Sequence, residues 1–163
     1  MNKLLDIAAF GARETSLAQA VNSHNLANAS TPGFRKDLAL YTGPTAASGL
    51  QPGVDLSVGQ MQTSGNPLDV AINGEGYFVI EDAAGEVAYS RRGDFRVDQN
   101  EFLTDGAGNR VLGQGGPINI PPYSEINVGV DGTISLRPIG GEAAESVEIG
   151  RLQLVQAEPG QVL

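Results

Sequence analysis

The chain has 163 residues, 22 of them Gly and 9 Pro, and a formal net charge of −9; this length suits one domain, or a domain with an appendage, and can bury a core. The acidic balance disfavours nucleic acid and anionic lipid as partners, since both require a basic face. Cys is absent, which excludes disulfides, thiolate metal sites and a cysteine nucleophile.

The amino-terminal stretch MNKLLDIAAFGARETS holds a short apolar patch interrupted by Asp6, with no clear cleavage site. It reads as mature sequence and not as a signal peptide. No apolar run approaches membrane-spanning length.

Residues 3 to about 28 carry the only sustained helical periodicity. Leu4, Ile7, Phe10, Glu14, Leu17, Val21, His24 and Asn28 recur in alternating steps of three and four, the spacing of a narrow heptad seam. The seam is apolar early and polar late, with Gly11 and Ala18 beside it permitting close approach. Such a helix would be about 40 Å long. Asn22, Asn25 and Asn28 recur at every third residue, although Asn is a mediocre helix former. Amides at such positions can fix register and orientation. The helix is expected to stop at Asn28 in a left-handed cap, with Pro32 just beyond. Thr31-Pro32-Gly33-Phe34 fits a type II turn, Pro presetting φ and Gly supplying φ > 0.

Residues 41–53, YTGPTAASGLQPG, read as a linker of small residues and turn formers. Strands are expected at Asp69–Asn73, Tyr77–Glu81, Val87–Ser90, Phe95–Val97, Glu101–Thr104, Ile118–Ile120, Ile126–Val130, Thr133–Leu136 and Val147–Val155. Turn chemistry separates them: Asn73-Gly74, Ala84-Gly85, Asp98-Gln99-Asn100, Asp105-Gly106 and Asp131-Gly132. FRVDQNEFLT and VGVDGTISL look weakly alike, through shared hairpin grammar and not as a true repeat.

The expected fold is mainly β: an amino-terminal amphipathic helix, then an irregular all-β domain of short antiparallel strands. Residues 1–40 form the helix and turn, 41–66 a linker with the first β elements, and 67–163 the β domain. A lone helix depends on packing, so the seam needs the β domain, another subunit or further chain to cover it. Glu158-Pro159-Gly160 is a turn signal, and Gln161-Val162-Leu163 resembles the start of a strand. The sequence reads as cut mid-fold, with the β domain incomplete at its carboxyl end and an open edge at Val147–Val155.

Little in the chain suggests catalysis. His24 is the single His, too little for a triad or a zinc site. The G-x-G of Gly74-Glu75-Gly76 precedes a strand pattern and not the helix of a dinucleotide loop. Asp98, Asn100, Asp105 and Asn109 lack the EF-hand alternation, because Phe102 and Leu103 stand among them. Arg92-Gly93-Asp94 spells a tripeptide used by some adhesion ligands, and an adhesin or ligand-binding module using that loop is the alternative reading. A carboxylate hydrolase is a further rival, although no spacing singles out an acid/base pair. Arg91, Arg92 and Arg96 read as a local basic patch pairing with the acidic surface. Asn28-Ala29-Ser30 is formally a glycosylation sequon, but it overlaps the helix stop.

Asn25-Leu26-Ala27-Asn28, followed by Thr31-Pro32-Gly33-Phe34-Arg35, resembles the amino-terminal signature of bacterial flagellar axial proteins, the rod and hook subunits. GEGYFVIEDAAGEVAYSRRGDFRVDQNEFLTDGAGNRVLG resembles their central motif, and GGPINIPPYSEINVGVDGTIS the section after it. Within the family the segment PLDVAINGEGYFV and the short connection after Phe34 are most similar to the proximal rod members. The resemblance implies a structural subunit of the basal-body rod, with no enzymatic activity and no cofactor. It implies export through the flagellar type III apparatus without a cleaved signal peptide, and a place in the rod across the periplasm. Its partners would be other rod subunits, copies of itself and the export apparatus, with no nucleic acid and no small-molecule substrate. The amino-terminal helix would pair with a carboxyl-terminal helix in the axial tube, with the β domain outward. Leu4, Ile7, Phe10, Leu17 and Val21 would form the assembly seam. Asn25, Leu26, Asn28, Thr31, Pro32, Gly33 and Phe34 would carry the family motif. Family members continue past the point where this chain ends.

Overall fold

The computed structural model describes residues 2–41, 50–57, 59–140 and 146–156. Most of the expected linker and the expected strand start at 161–163 lie outside the described residues. The fold is mainly β with one helix among the described residues. The chain divides into two compact units, Met1–Ser57 and Val58–Leu163.

In the first unit, α1 spans Asn2–Ala27, and β1 (Asp37–Tyr41) pairs antiparallel with β2 (Leu50–Val54). The sequence reading placed the first β elements within 41–66 but named no strand at 37–41 or 50–54, since Gln51-Pro52-Gly53 is turn-like chemistry. The hairpin forms because Gly53 stands opposite Leu38, and the Leu40 side chain lies where a Cβ on Gly53 would point. α1 packs on both strands, so part of the helix finds its cover within its own unit.

The second unit holds β3 (Tyr77–Glu81), β4 (Val87–Ser90), β5 (Arg96–Val97), β6 (Leu103–Thr104), β7 (Arg110–Gly113), β8 (Gly116–Pro117), β9 (Tyr123–Val128), β10 (Thr133–Pro138), β11 (Val147–Arg151) and β12 (Leu154–Val155). One sheet runs β12-β3-β7-β6-β5, with β4 on the other side of β3 and β8 on β7; a second runs β11-β10-β9. Tyr77, Phe78, Val79 and Ile80 are all buried. That continuous apolar run marks a strand covered on both faces. The core joins both sheets, with Phe78, Leu103 and Val111 from the first, Phe95 just before β5, and Ile126, Ile134 and Leu136 from the second. Pro138 is tolerated at the end of β10 because the register shifts there.

Three expected strands are corrected, and a central strand was not foreseen. Ile118–Ile120 makes only an isolated bridge, from Asn119 to Phe102. Val147–Val155 is not one strand. Buried Leu152 interrupts it, donating its N–H to Gly132 O at 2.9 Å and bridging Gly113. The chain therefore leaves the second sheet as β11 and enters the first as β12. Asp69–Asn73 forms no ladder, only a bridge from Asp69 to Asp94 and a bond from Val70 N–H to Gly93 O, because Arg91 takes the Ile72 carbonyl. Arg110–Gly113, central in its sheet, was hidden by the glycines around it.

The hairpin turns share one device. The Oδ1 of Asp82, Asp98 and Asp105 each accepts two backbone N–H groups, two and four residues on, at 2.8–2.9 Å. The residue three after each Asp is left-handed: Gly85 (φ 83°), Glu101 (φ 65°) and Gly108 (φ 93°). This is a type I turn closed by a left-handed residue. Glu101 fills, with a side chain, a position its two counterparts give to Gly. Glu101→Gly should therefore raise stability by about 0.5–1 kcal/mol, after the added freedom of the unfolded chain is subtracted. A higher urea midpoint at unchanged m-value is the expected result. The same turns explain Asp98, Asn100, Asp105 and Asn109 as caps of backbone and of each other.

Candidate assembly site

The motif at the end of α1 builds a corner. The Asn25 side chain behaves as a piece of β-strand. Its Nδ2 donates to Asp37 O at 2.9 Å, and its Oδ1 accepts Asp37 N–H at 2.7 Å. One primary amide thus matches both hydrogen-bonding groups of one backbone residue. One turn before Asn28, His24 Nδ1 lies 2.6 Å from Asp37 Oδ2, and its ring stands edge-on to Phe34 at 5.4 Å. Helix and strand are therefore tied together through a twelve-residue detour.

Asn28 stops the helix by a route other than the expected one. Glu101 is the one non-Gly residue with positive φ among the described residues, so Asn28 is not left-handed. Its Nδ2 instead folds back onto His24 O at 3.0 Å, the carbonyl that its own N–H also meets at 3.1 Å. Its Oδ1 accepts from Thr31 Oγ1 at 3.3 Å. The side chain thereby occupies groups that a frayed helix end leaves to water. The turn beyond is as expected: Phe34 N–H meets Thr31 O at 3.2 Å, and Gly33 has φ 73°. Leu26 points to solvent, Pro32 is exposed, and Thr31 and Phe34 are half-buried.

Below the corner, the seam divides. Leu17 and Val21 are half-buried, whereas Leu4, Ile7 and Phe10 are 79 %, 66 % and 38 % exposed. Three of the five expected seam residues therefore lie on the open half of the helix.

Asp37 is the residue that sequence reasoning missed. It carries no motif, and its importance arises only from standing opposite Asn25 and His24. A second tie follows it: Lys36 Nζ lies 3.0 Å from Asp55 Oδ2, and Asp55 N–H donates to Lys36 O. Hydrogen bonds from the Ser57 side chain and backbone, then Lys36, pull the Asp55 carboxyl down to about 2.

Arg92-Gly93-Asp94 is not presented as a loop. Arg92 grips Asp94 through two bonds, 2.6 and 3.0 Å long. Gly93 is buried with Val70 O against it. Burial alone would raise the Asp94 carboxyl, but the bond to Arg92 and its charge outweigh burial and hold it below the usual carboxylate value. Arg91 binds the carbonyls of Ile72, Gly74 and Gly76. Arg91 thus serves local backbone and Arg92 a neighbouring carboxylate, and the Arg96 charge also favours ionised Asp94. Among the described residues no group of His, Cys, Asp or Glu could hold a metal ion.

Comparison with known proteins decides what kind of corner this is. A family model described as flagellar hook protein FlgE/F/G D1 domain matches residues 71–136. The chain is 40 % identical to the flagellar basal-body rod protein FlgF of Salmonella typhimurium, over 99 % of this chain and 68 % of the relative. The chain belongs to the flagellar rod and hook protein family. The FlgF of Escherichia coli is 38 % identical over the same shares of the two chains. A FlgG rod protein from Buchnera aphidicola is 34 % identical over 85 % of this chain and 63 % of its own length. Flagellar rod proteins are structural and not enzymes, which sets aside the hydrolase reading. The family model falls wholly within the second unit, while the FlgF matches extend through the corner and the helix.

Proposed function

We propose that this chain is a subunit of the flagellar basal-body rod that assembles through α1, with its β unit outward. The observation that carries the proposal is the open stripe of Leu4, Ile7 and Phe10 on a helix that, among the described residues, is tied down at its other end. Isolated helices of this kind are stabilised by packing more than by propensity. Covering the stripe removes apolar area from water, worth about 1.5–3 kcal/mol for each large side chain fully buried. Leu17 and Val21 continue the seam to the corner. There Asn25 holds the backbone of Asp37 and Asn28 the His24 carbonyl and the Thr31 hydroxyl, Pro32-Gly33 redirects the chain, and Phe34 anchors the bend. Residues 1–40 act as the axial assembly segment, 41–66 as the connection and 67–163 as the outer β domain.

In this reading the amino-terminal half of α1 orders fully on joining the rod, so the entropy of ordering is met by the contacts formed at that moment. Other rod and hook subunits, and further copies of the chain, are its partners. It reaches the periplasm-spanning rod through the flagellar type III export apparatus.

The test is complementation of an in-frame deletion in the source bacterium by the complete gene, followed by electron microscopy of basal bodies. Ile7→Asp places a charge on the open stripe, and Asn28→Leu removes the amide from the corner. Both should abolish complete rods and swimming while the exported protein keeps the thermal melting of its β unit. Normal rods in Ile7→Asp would overturn assembly through the seam. Equal loss of assembly and β-unit stability in Asn28→Leu would overturn the division of labour.

A further inference from the structure

Asn73-Gly74 remains unexplained by assembly. It is the only Asn-Gly in the chain, and it lies just before β3 in the loop that Arg91 holds. We propose that Asn73 is a site of spontaneous succinimide formation and deamidation, with water as the co-reactant, and that the fold leaves this site open.

In the first step the Gly74 backbone nitrogen attacks Asn73 Cγ. The N–Cγ bond forms and the Cγ–Nδ2 bond breaks. The proton from the Gly74 N–H passes through solvent to the departing nitrogen, which leaves as ammonia. Water then opens the ring at either imide carbonyl, giving aspartate or isoaspartate. The reaction needs a free amide side chain, a free and unhindered backbone N–H, and relief for the negative charge that develops on nitrogen.

The structure meets each requirement. Asn73 is exposed, and its side chain bonds to no described residue. By contrast the amides of Asn25, Asn28, Asn66, Asn100 and Asn109 are all engaged. Gly74 N–H donates to no described residue, and nothing lies within 4 Å of the place where a Cβ would stand. Arg91 Nη2 donates to the carbonyls of Ile72 and Gly74 at 3.2 and 2.8 Å, and its Nη1 to that of Gly76 at 3.1 Å. These bonds leave the Asn73–Gly74 peptide itself unbonded while placing a fixed positive charge one peptide away on either side. A cation so placed stabilises the amide anion. Asn119 and Asn127 are also exposed, but Ile and Val follow them, and a β-branched neighbour hinders and slows the attack.

The consequence is local. Isoaspartate inserts a methylene into the backbone between the Ile72 and Gly74 carbonyls, so the three acceptors no longer match one guanidinium. Aspartate keeps the backbone and adds a carboxylate near Arg91.

The test incubates the folded full chain near pH 8 and follows it by peptide mass spectrometry. Isoaspartate is quantified by enzymatic methylation with a labelled methyl donor. The expected result is a gain of about one dalton confined to the peptide holding Asn73, forming several-fold faster than at any other Asn. The rate should stay within a few-fold of that of a synthetic peptide with the sequence of residues 70–77. Asn73→Ser should remove the signal and leave the fold intact. Arg91→Gln should slow the reaction in the folded chain; if that variant unfolds, a salt titration of the unaltered protein reads the same charge, with high salt slowing the folded chain but not the peptide. A folded-state rate far below that of the peptide, or modification spread evenly over the asparagines, would overturn the proposal.

Discussion

Gly93→Ala should destabilise the β unit by about 2–4 kcal/mol, combining overpacking with a lost backbone hydrogen bond. A Cβ at this position would run into Val70 O, a backbone atom that cannot rotate away. To make room, the segment around Val70 must withdraw, and the Val70 N–H bond to Gly93 O at 2.9 Å breaks with it. The φ of Gly93 is not in the left-handed region, so the effect is one of space and not of backbone freedom. Urea unfolding followed by circular dichroism should show the midpoint falling, with faster hydrogen exchange at Val70. An unchanged midpoint would show that the Arg92–Asp94 segment has room to move, as a ligand-binding loop requires. The two outcomes therefore also separate a structural role for the tripeptide from an adhesive one.

Phe95→Ala should be more disruptive, costing about 3–5 kcal/mol. Phe95 is 1 % exposed and meets Phe78 edge-to-face, with ring centroids 5.0 Å apart. It stands between the paired Arg92–Asp94 segment and β5, inside the cluster shared by the two sheets. Removing the ring leaves a cavity that the short strands on either side are poorly able to close. Phe95→Leu keeps most of the volume and should cost less than about 1.5 kcal/mol. A small effect of Phe95→Ala in urea would mean that the two sheets do not depend on a common core.

Neither effect touches the proposed assembly surface, which is why the two kinds of variant are informative together. Core variants should lose soluble protein before they lose the capacity to assemble. Stripe variants such as Ile7→Asp should lose rods with no loss of fold. That contrast follows from where the apolar residues stand: Phe95 inside its unit, Leu4, Ile7 and Phe10 outside.

The sequence by itself determined those parts of the protein whose cause is local. The spacing of Leu4 to Val21 specifies one helix, because its period concerns neighbours on one face. Thr31-Pro32-Gly33-Phe34 specifies the turn after it, and Asp82, Asp98 and Asp105 specify hairpin ends, because each side chain bonds backbone within four residues. Tyr77–Glu81 and Val87–Ser90 coincide with β3 and β4 for the same reason: branched or aromatic runs between strong turns. The family resemblance, too, was legible in the motifs at Asn25–Arg35 and in the central β section. Only the tertiary structure decided what the amides of that motif hold. Asn25 and Asp37 are twelve residues apart, and no periodicity links a helical amide to the backbone of a later strand. It also divided the seam into a packed half and an open half, since cover by β1 and β2 depends on a hairpin written in Pro and Gly. It broke Val147–Val155 at Leu152 and placed Arg110–Gly113 at the centre of a sheet. In each case the deciding interaction joins residues far apart in the chain, where side-chain fit and free backbone groups choose the partner and local pattern carries no record of the choice.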